Sequence, residues 1–500
     1  MSCITSFREQ SYQAGYALCA APRQIGPAAL HCGIRFHMFQ FRFIPALILA
    51  ILATIPSVVA QNNPAPSPPM GWNSWDAYGL TINEADYRAN TTVLAGIRED
   101  GWQYSVIDEG WYMQDPFAGS LEARKYLWDG NGILVPDPAR FPSAANNAGF
   151  KPLADWVHAQ GLKFGIHIVR GIPRQVVAQN LPIAGSSYHA ADAADQQSPC
   201  PWDQGNWGIA DNAAGQAYYD SMLKLYADWG LDYIKVDCIS DHPYRPSEIR
   251  QIAEAIGKTG RPIVLSLSPG PTQLAHAAEV AKYSQMWRIT DDHWDGWSFK
   301  HTPPSEFPVG LKDEFDRIAQ WQPYVKPGSW PDPDMLPEGY LGPHPGKDQA
   351  RQSAYTHDEQ RTEFTLWAIS RSPLILGTNL TKLDDFTRSL ITNKEVSDLN
   401  QQAVESKPGL LPKQHGKQQF LQRYWTHAPA DRTQGTTSPC SIWLMPPLRL
   451  TCPGCSSTSK TSLTLSTTSG TRSTSPARSR FTSFCLRMGA PCSASSELHE

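Results

Sequence analysis

Tyr233-Ile234-Lys235-Val236-Asp237-Cys238 is an apolar run with one lysine inside it that ends on a carboxylate. It has the length of a buried strand. Side chains alternate along a strand, so Lys235 and Asp237 share one face. An acid at the end of such a strand is how a barrel enzyme presents catalytic groups at one rim. Two further segments are built the same way: Ile107-Asp108-Glu109-Gly110-Trp111 and Trp287-Arg288-Ile289-Thr290-Asp291-Asp292 each follow an apolar run and finish in acids.

Outward from these three segments, the chain alternates strand-like and helix-like stretches. The strand candidates are Pro69 to Trp75, Tyr104 to Asp108, Lys163 to Ile168, Tyr233 to Asp237, Ile263 to Ser268, Gln285 to Thr290, Gly328 to Met335 and Ser372 to Gly377. Amphipathic stretches lie between them. Over Gly215 to Trp229, Ala217, Tyr218, Met222, Leu225, Tyr226 and Trp229 recur at helical spacing. The pattern predicts an α/β fold, a closed parallel (β/α)8 TIM barrel. The competing open doubly wound sheet would carry a glycine-rich phosphate turn after an early strand, and the sequence has none.

A chain of 500 residues accommodates such a barrel, which takes about 250 residues or more, and a smaller second domain. A net charge of -4 without basic runs offers little to a polyanion, so nucleic acid is not an expected partner. Before the barrel, Ile44 to Ala60 is a short apolar stretch interrupted by Pro45 and Pro56 and ending Val58-Val59-Ala60. It reads as a signal peptide over 38–60, which predicts a secreted or periplasmic protein with no membrane anchor after cleavage. A polar Pro-rich linker follows at 61–68. Residues 1–37 precede a second plausible start at Met38 and read as a non-native extension. Of ten cysteines, only Cys200 and Cys238 lie between the signal and the tail. A bridge between them would tie a loop to the barrel rim in an oxidising compartment. Cys452-Pro-Gly-Cys455 resembles half a zinc knuckle, but no second half follows, so no metal site is expected.

Alternation also places Arg288, Thr290 and Asp292 on one face and turns Asp291 away. Lys235 beside Asp237 lowers its pKa and keeps it ionised, as a nucleophile requires. Asp292 is the acid/base candidate. Two carboxyls flanking a glycosidic bond suffice for its hydrolysis, and in a retaining enzyme they stand about 5 Å apart.

Pro68-Pro69-Met70-Gly71-Trp72-Asn73-Ser74-Trp75, the Lys-x-Asp strand end, the Trp-Arg-x-x-x-Asp segment and Trp330-Pro331-Asp332-Pro333-Asp334-Met335-Leu336 together resemble glycoside hydrolase family 27, the α-galactosidase (melibiase) family. The order and spacing match over residues 66 to 400. The resemblance implies a (β/α)8 barrel over 69–400, retention of configuration, no cofactor and no metal, and an α-galactoside oligosaccharide as substrate. It makes Asp237 the nucleophile and Asp292 the acid/base. Trp75, Asp108, Lys235, Arg288 and Asp334 become contacts to the sugar or supports for the catalytic pair, and Trp111 is expected to line the same pocket.

The chain departs from the family pattern at three places. Glu109 stands where α-galactosidases usually have a second aspartate. Its extra methylene pushes a carboxyl towards the space of a hexose C6 hydroxymethyl, which makes β-L-arabinopyranose, lacking that group, the alternative sugar. On the fifth strand, Leu265-Ser266-Leu267-Ser268 replaces the usual aromatic and acidic residues. The third is the C-terminus. Residues 401–431 read as the start of an antiparallel β domain, with an early strand over Gln419 to Trp425. After Asp431 the chain becomes rich in Ser, Thr, Pro, Arg and Cys, with no acidic residue over 432–496. A Ser/Thr-rich linker is one reading. A shift of reading frame near Asp431 is the favoured one, since the change is abrupt. It raises two further classes, a silent sugar-binding protein and a defective product. No residue pattern sets the oligomeric state.

Overall fold

A computed structural model describes residues 63–116, 124–301, 306–342 and 349–403, with strand segments at 405–415, 418–428, 442–444 and 464–465. The N-terminal extension and the signal peptide lie outside the described residues. No helix among the described residues is long and apolar enough to cross a membrane.

Each expected strand segment contains a strand: β1 (Met70–Asn73), β2 (Tyr104–Ile107), β3 (Lys163–Val169), β4 (Tyr233–Asp237), β5 (Val264–Leu267), β6 (Met286–Arg288), β7 (Trp330–Asp332) and β8 (Leu374–Leu376). All pair in parallel, in the order β7-β6-β5-β4-β3-β2-β1-β8. The ends of that order meet. Leu336, just past β7, bridges Leu376 in parallel, and its N–H donates to Ile375 O at 2.8 Å. The sheet curls on itself as in a (β/α)8 barrel. The crossovers hold α1 (Glu84–Gly96), α2 (Lys151–Ala159), α3 (Ala213–Trp229), α4 (Pro246–Thr259), α5 (Ala277–Tyr283), α6 (Leu311–Trp321) and α7 (His357–Ser370).

Helix α3 begins two residues before the periodic stretch because Asn212 caps it, its side-chain oxygen accepting the Gly215 N–H at 2.7 Å. It stops at Gly230, whose φ of +98° suits a residue without a Cβ. Its buried face is wider than the expected stripe. Tyr219 and Leu223 are buried, whereas Ala217 and Leu225 are only partly so, because α3 packs on α4, on α2 and on the helical turn Ala190–Ala193.

Alternation sorts the barrel interior by depth. Tyr104, Val106, Tyr233, Val264, Met286, Trp330 and Ile375 form an apolar plug. Further along the same inward faces come Lys235, Arg288 and Asp332, then Asp108 and Asp237. Charge therefore collects at the C-terminal ends of the strands. Ala65, within the stretch read as a linker, belongs to the plug, and its carbonyl accepts from Trp330 Nε1 at 2.9 Å.

Past the barrel, β9 (Glu405–His415) and β10 (Gln418–Ala428) form an antiparallel hairpin, and β10 contains the early strand expected over Gln419 to Trp425. Two short strands, β11 (Ile442–Leu444) and β12 (Thr464–Leu465), extend it. The rest of the Ser/Thr/Pro-rich tail lies outside the described residues.

Candidate active site

The charged rim surrounds a cavity of about 240 Å³ whose wall includes both Asp237 and Asp292. Sites for drug-sized ligands run from about 300 Å³ upward, so this one suits a single sugar ring. Trp75, Asp108, Glu109, Lys235, Arg288 and Asp334 also line it. Trp111 does not, which corrects the expectation of a pocket wall. Its indole N–H donates to His167 O at 2.7 Å. Its ring packs on Tyr112, Phe150, Tyr226 and Trp229 in the core outside the sheet. Gly110, with φ of +95°, turns the chain between Glu109 in the cavity and Trp111 in the core.

Asp237 ends β4. Its Oδ2 lies 3.3 Å from His167 Nε2, and its Oδ1 accepts the Cys238 N–H at 2.6 Å. Burial pushes the carboxyl up. The His167 hydrogen bond and charge, the Lys235 ammonium and the Cys238 N–H outweigh that and hold it below the usual carboxylate range. Asp237 is thus kept anionic, as a nucleophile must be.

Asp292 is held the opposite way. About half of its side chain opens on the cavity, with Oδ1 3.2 Å from Arg288 Nη2, while protein closes around the rest. Desolvation pushes its pKa up. Arg288 and Lys235 oppose this, but the charges of Asp334 and Asp237 reinforce it, and the carboxyl reaches about 6. Two carboxyls with separated proton affinities in one crevice are the electrostatic signature of a nucleophile and an acid/base.

The segment carrying Asp292 is pinned from below. Asp334 Oδ2 accepts from Arg288 Nη2 at 2.8 Å and from the His293 backbone N–H at 2.9 Å. Asp334 sits at φ +89°, unfavourable for a side-chain-bearing residue. Its N–H donates to Asp332 Oδ1 and its carbonyl accepts from Trp367 Nε1, both at 3.0 Å, which holds it there. The buried His293 ring meets Glu363 at 2.6 Å and Tyr355 at 3.0 Å through Nε2, and Glu314 at 3.6 Å through Nδ1. Burial opposes its charge, but Glu314 and Glu363 raise its pKa to about 10, so it stays an imidazolium.

Asp108 accepts from Asn73 Nδ2 at 2.7 Å and Lys235 Nζ at 3.0 Å. Burial raises its pKa, but His167 and Lys235 bring it well below the usual range. Burial opposes the Lys235 charge, but Asp108, then Asp237 and Asp334, keep it protonated. Glu109 differs. Burial first, then the charges of Asp203, Asp237 and Asp108, push its pKa well up, which favours the protonated form of the carboxyl.

Cys200 and Cys238 are joined in a disulfide, which ties the 198–205 loop to the residue after Asp237. Behind it, Arg170 donates from Nε to Cys238 O at 2.6 Å and from Nη2 to Ser198 O at 3.1 Å, while Nη1 pairs with Glu248 at 2.6 Å. Tyr219 OH donates to the other Glu248 oxygen at 2.6 Å. This cluster is fully buried. Glu248→Ala should therefore strand the guanidinium and destabilise the fold by about 3–5 kcal/mol, read as a lower urea midpoint. A loss under about 1 kcal/mol would show that Arg170 finds other partners.

The cavity wall also holds residues not read from sequence: Asp76, Leu80, Arg124, Trp202 and Asp203. Asp76 directly follows Trp75 in the quoted motif and was the one within reach. Ser268 is in the wall, whereas Ser266 stays inside the barrel on β5, paired in register with Lys235. Trp202 and Asp203 carried no pattern.

A nucleophile-like and an acid-like carboxyl across a sugar-sized crevice, at the C-terminal rim of a barrel, define the protein as a glycoside hydrolase. The family model Melibiase_2, alpha galactosidase A, matches residues 201–402. Alpha-galactosidase A of Cellvibrio japonicus is 30% identical over 360 residues, 71% of this chain and 72% of that protein. Alpha-N-acetylgalactosaminidase of Gallus gallus is 27% identical over 68% of this chain and 72% of its own length. The crystal structure of a GH27 β-L-arabinopyranosidase from Geobacillus stearothermophilus is 42% identical, with a TM-score of 0.65 over 73% of this chain and 82% of that one. The chain belongs to glycoside hydrolase family 27, the α-galactosidase family.

Proposed function

We propose that the protein is a retaining exo-glycosidase that releases terminal pyranosyl residues of galacto configuration, with β-L-arabinopyranosides preferred over α-D-galactosides. Asp237 attacks the anomeric carbon while Asp292 protonates the departing oxygen. The Asp237 charge helps keep the Asp292 proton on. Once Asp237 is esterified to the sugar that charge is gone, the Asp292 pKa falls, and it can take a proton from the incoming water. Asp108 and Lys235 are placed to bind sugar hydroxyls.

The family resemblance alone ranks α-D-galactosides first. Glu109 in the cavity wall beside Asp108 carries the reversal, because its carboxyl competes for the volume a C6 hydroxymethyl needs. The 42% identity to a β-L-arabinopyranosidase supports the same reading. Two carboxyls with opposed proton affinities argue against a silent binding protein. The signal-like stretch before Gln61 supports action in the secreted or periplasmic space.

The test is the quotient of kcat/KM for p-nitrophenyl β-L-arabinopyranoside over p-nitrophenyl α-D-galactopyranoside. It should exceed unity in the wild type and fall by about tenfold or more in Glu109→Asp, the scale of fitting or excluding one small group. A quotient below unity that the substitution leaves unchanged would return the galactoside reading.

A further inference from the structure

Asp292 is carried on the connection from β6 to α6, outside the barrel strands. Its backbone is tied on the cavity side. The Val309 N–H donates to Asp292 O at 2.9 Å, the Trp294 N–H to Val309 O at 3.0 Å, and the His293 N–H to Asp334 Oδ2 at 2.9 Å. The outward tie is made by side chains. The His293 ring reaches towards α6 and α7, 3.6 Å from Glu314 and 2.6 Å from Glu363. Tyr355 OH, 3.0 Å from the same ring nitrogen, donates to the next carbonyl, Trp294 O, at 3.2 Å.

Glu314, Glu363 and Tyr355 are buried and none lines the sugar-sized cavity. A further buried acid, Glu338, lies beside Glu363, and burial first, then the Glu363 charge, pushes its pKa well up. Apolar side chains of similar volume would serve stability as well as a buried imidazolium with its carboxylates, or better. Packing alone therefore gives no reason for this knot. Its position does. A general acid works only within hydrogen-bond reach of the departing oxygen, and a misplacement of about 1 Å costs about 10²-fold. A segment tied on the cavity side alone is free to rock.

We infer that His293, Glu314, Glu363 and Tyr355 are positioning residues for proton delivery: by clamping the 292–295 segment from outside the cavity, they hold the Asp292 carboxyl in line with the departing oxygen. The inference rests on the glycosidase reading above and adds residues that act through Asp292 without touching the sugar.

The test uses the phenyl and p-nitrophenyl glycosides of the preferred sugar, which share a ring and differ in how far the departing oxygen needs a proton. His293→Phe combined with Glu314→Gln and Glu363→Gln removes the cation and both anions together, so no buried charge is stranded. In this triple variant the quotient of kcat/KM for phenyl over p-nitrophenyl glycoside should fall by about tenfold or more. Glu363→Gln alone keeps an acceptor for the ring and should recover most of it. Tyr355→Phe removes one hydroxyl and keeps the test decisive if the triple variant does not fold; its quotient should fall by about fivefold, the scale of one hydrogen bond. In an Asp292→Ala background the same substitutions should leave the quotient unmoved, because the group they position is gone. Quotients within about twofold of wild type in every variant that folds overturn the inference, as does an equal fall in the Asp292→Ala background. A wild-type enzyme that cleaves neither glycoside overturns the glycosidase reading itself.

Discussion

Asp237→Ala is expected to reduce turnover by at least about four orders of magnitude, as removal of a nucleophile does in enzymes where the reacting groups act as a unit. The carboxylate is held ionised by His167, Lys235 and the Cys238 N–H, and alanine leaves those groups around an open space of the right size and charge for a small anion. Azide should therefore restore part of the activity towards an activated aryl glycoside and yield a glycosyl azide of inverted configuration, because azide attacks from the face Asp237 occupied. A variant with near wild-type turnover, or one for which azide restores nothing, would place the nucleophile elsewhere. Lys235 and His167 are unchanged in this variant, so loss of the fold does not explain a rescued enzyme.

The second large effect concerns Asp292, and it divides by leaving group. A general acid contributes about 10²–10⁴-fold, and only where the departing oxygen needs a proton. Asp292→Ala should lower kcat/KM for a disaccharide across that range while the p-nitrophenyl glycoside, whose leaving group needs little help, loses far less. The pH profile follows from the same carboxyl. With a pKa near 6, Asp292 is protonated below that pH and loses its proton above it, so the disaccharide kcat/KM should fall on the alkaline side from about pH 6. The acid limb belongs to Asp237 and lies below the usual carboxylate range. In Asp292→Asn, which cannot ionise, the alkaline limb should vanish. A limb that persists in this variant belongs to another group.

What the sequence disclosed was whatever period two encodes. Tyr233, Lys235 and Asp237, or Met286 and Arg288, could be assigned to one face before any coordinates, and the structure has the apolar member of each set in the barrel plug and the charged members nearer the rim. Trp111 shows where that reading ends. Its neighbour Glu109 is in the cavity, but Gly110 at positive φ breaks the alternation, and a turn's direction is not written in hydrophobic periodicity. Ala217 and Leu225 failed in another way, because the α3 stripe was drawn for one packing partner and the helix has several. Trp202 and Asp203 enter the cavity on a loop set by a disulfide and by Arg170, and the His293 knot joins residues from α6, α7 and the segment after β6. Contacts between such distant positions leave no local trace in one sequence.

The central claim is that Asp237 bonds to the sugar while Asp292 manages the proton. Incubation with a 5-fluoroglycosyl fluoride of the preferred sugar, which slows the second step more than the first, followed by peptic digestion and mass spectrometry, tests it directly. The account predicts one fluoroglycosyl increment on the peptide containing Asp237, lost slowly as activity returns. An increment on any other residue, or hydrolysis with inversion and no increment, would contradict it.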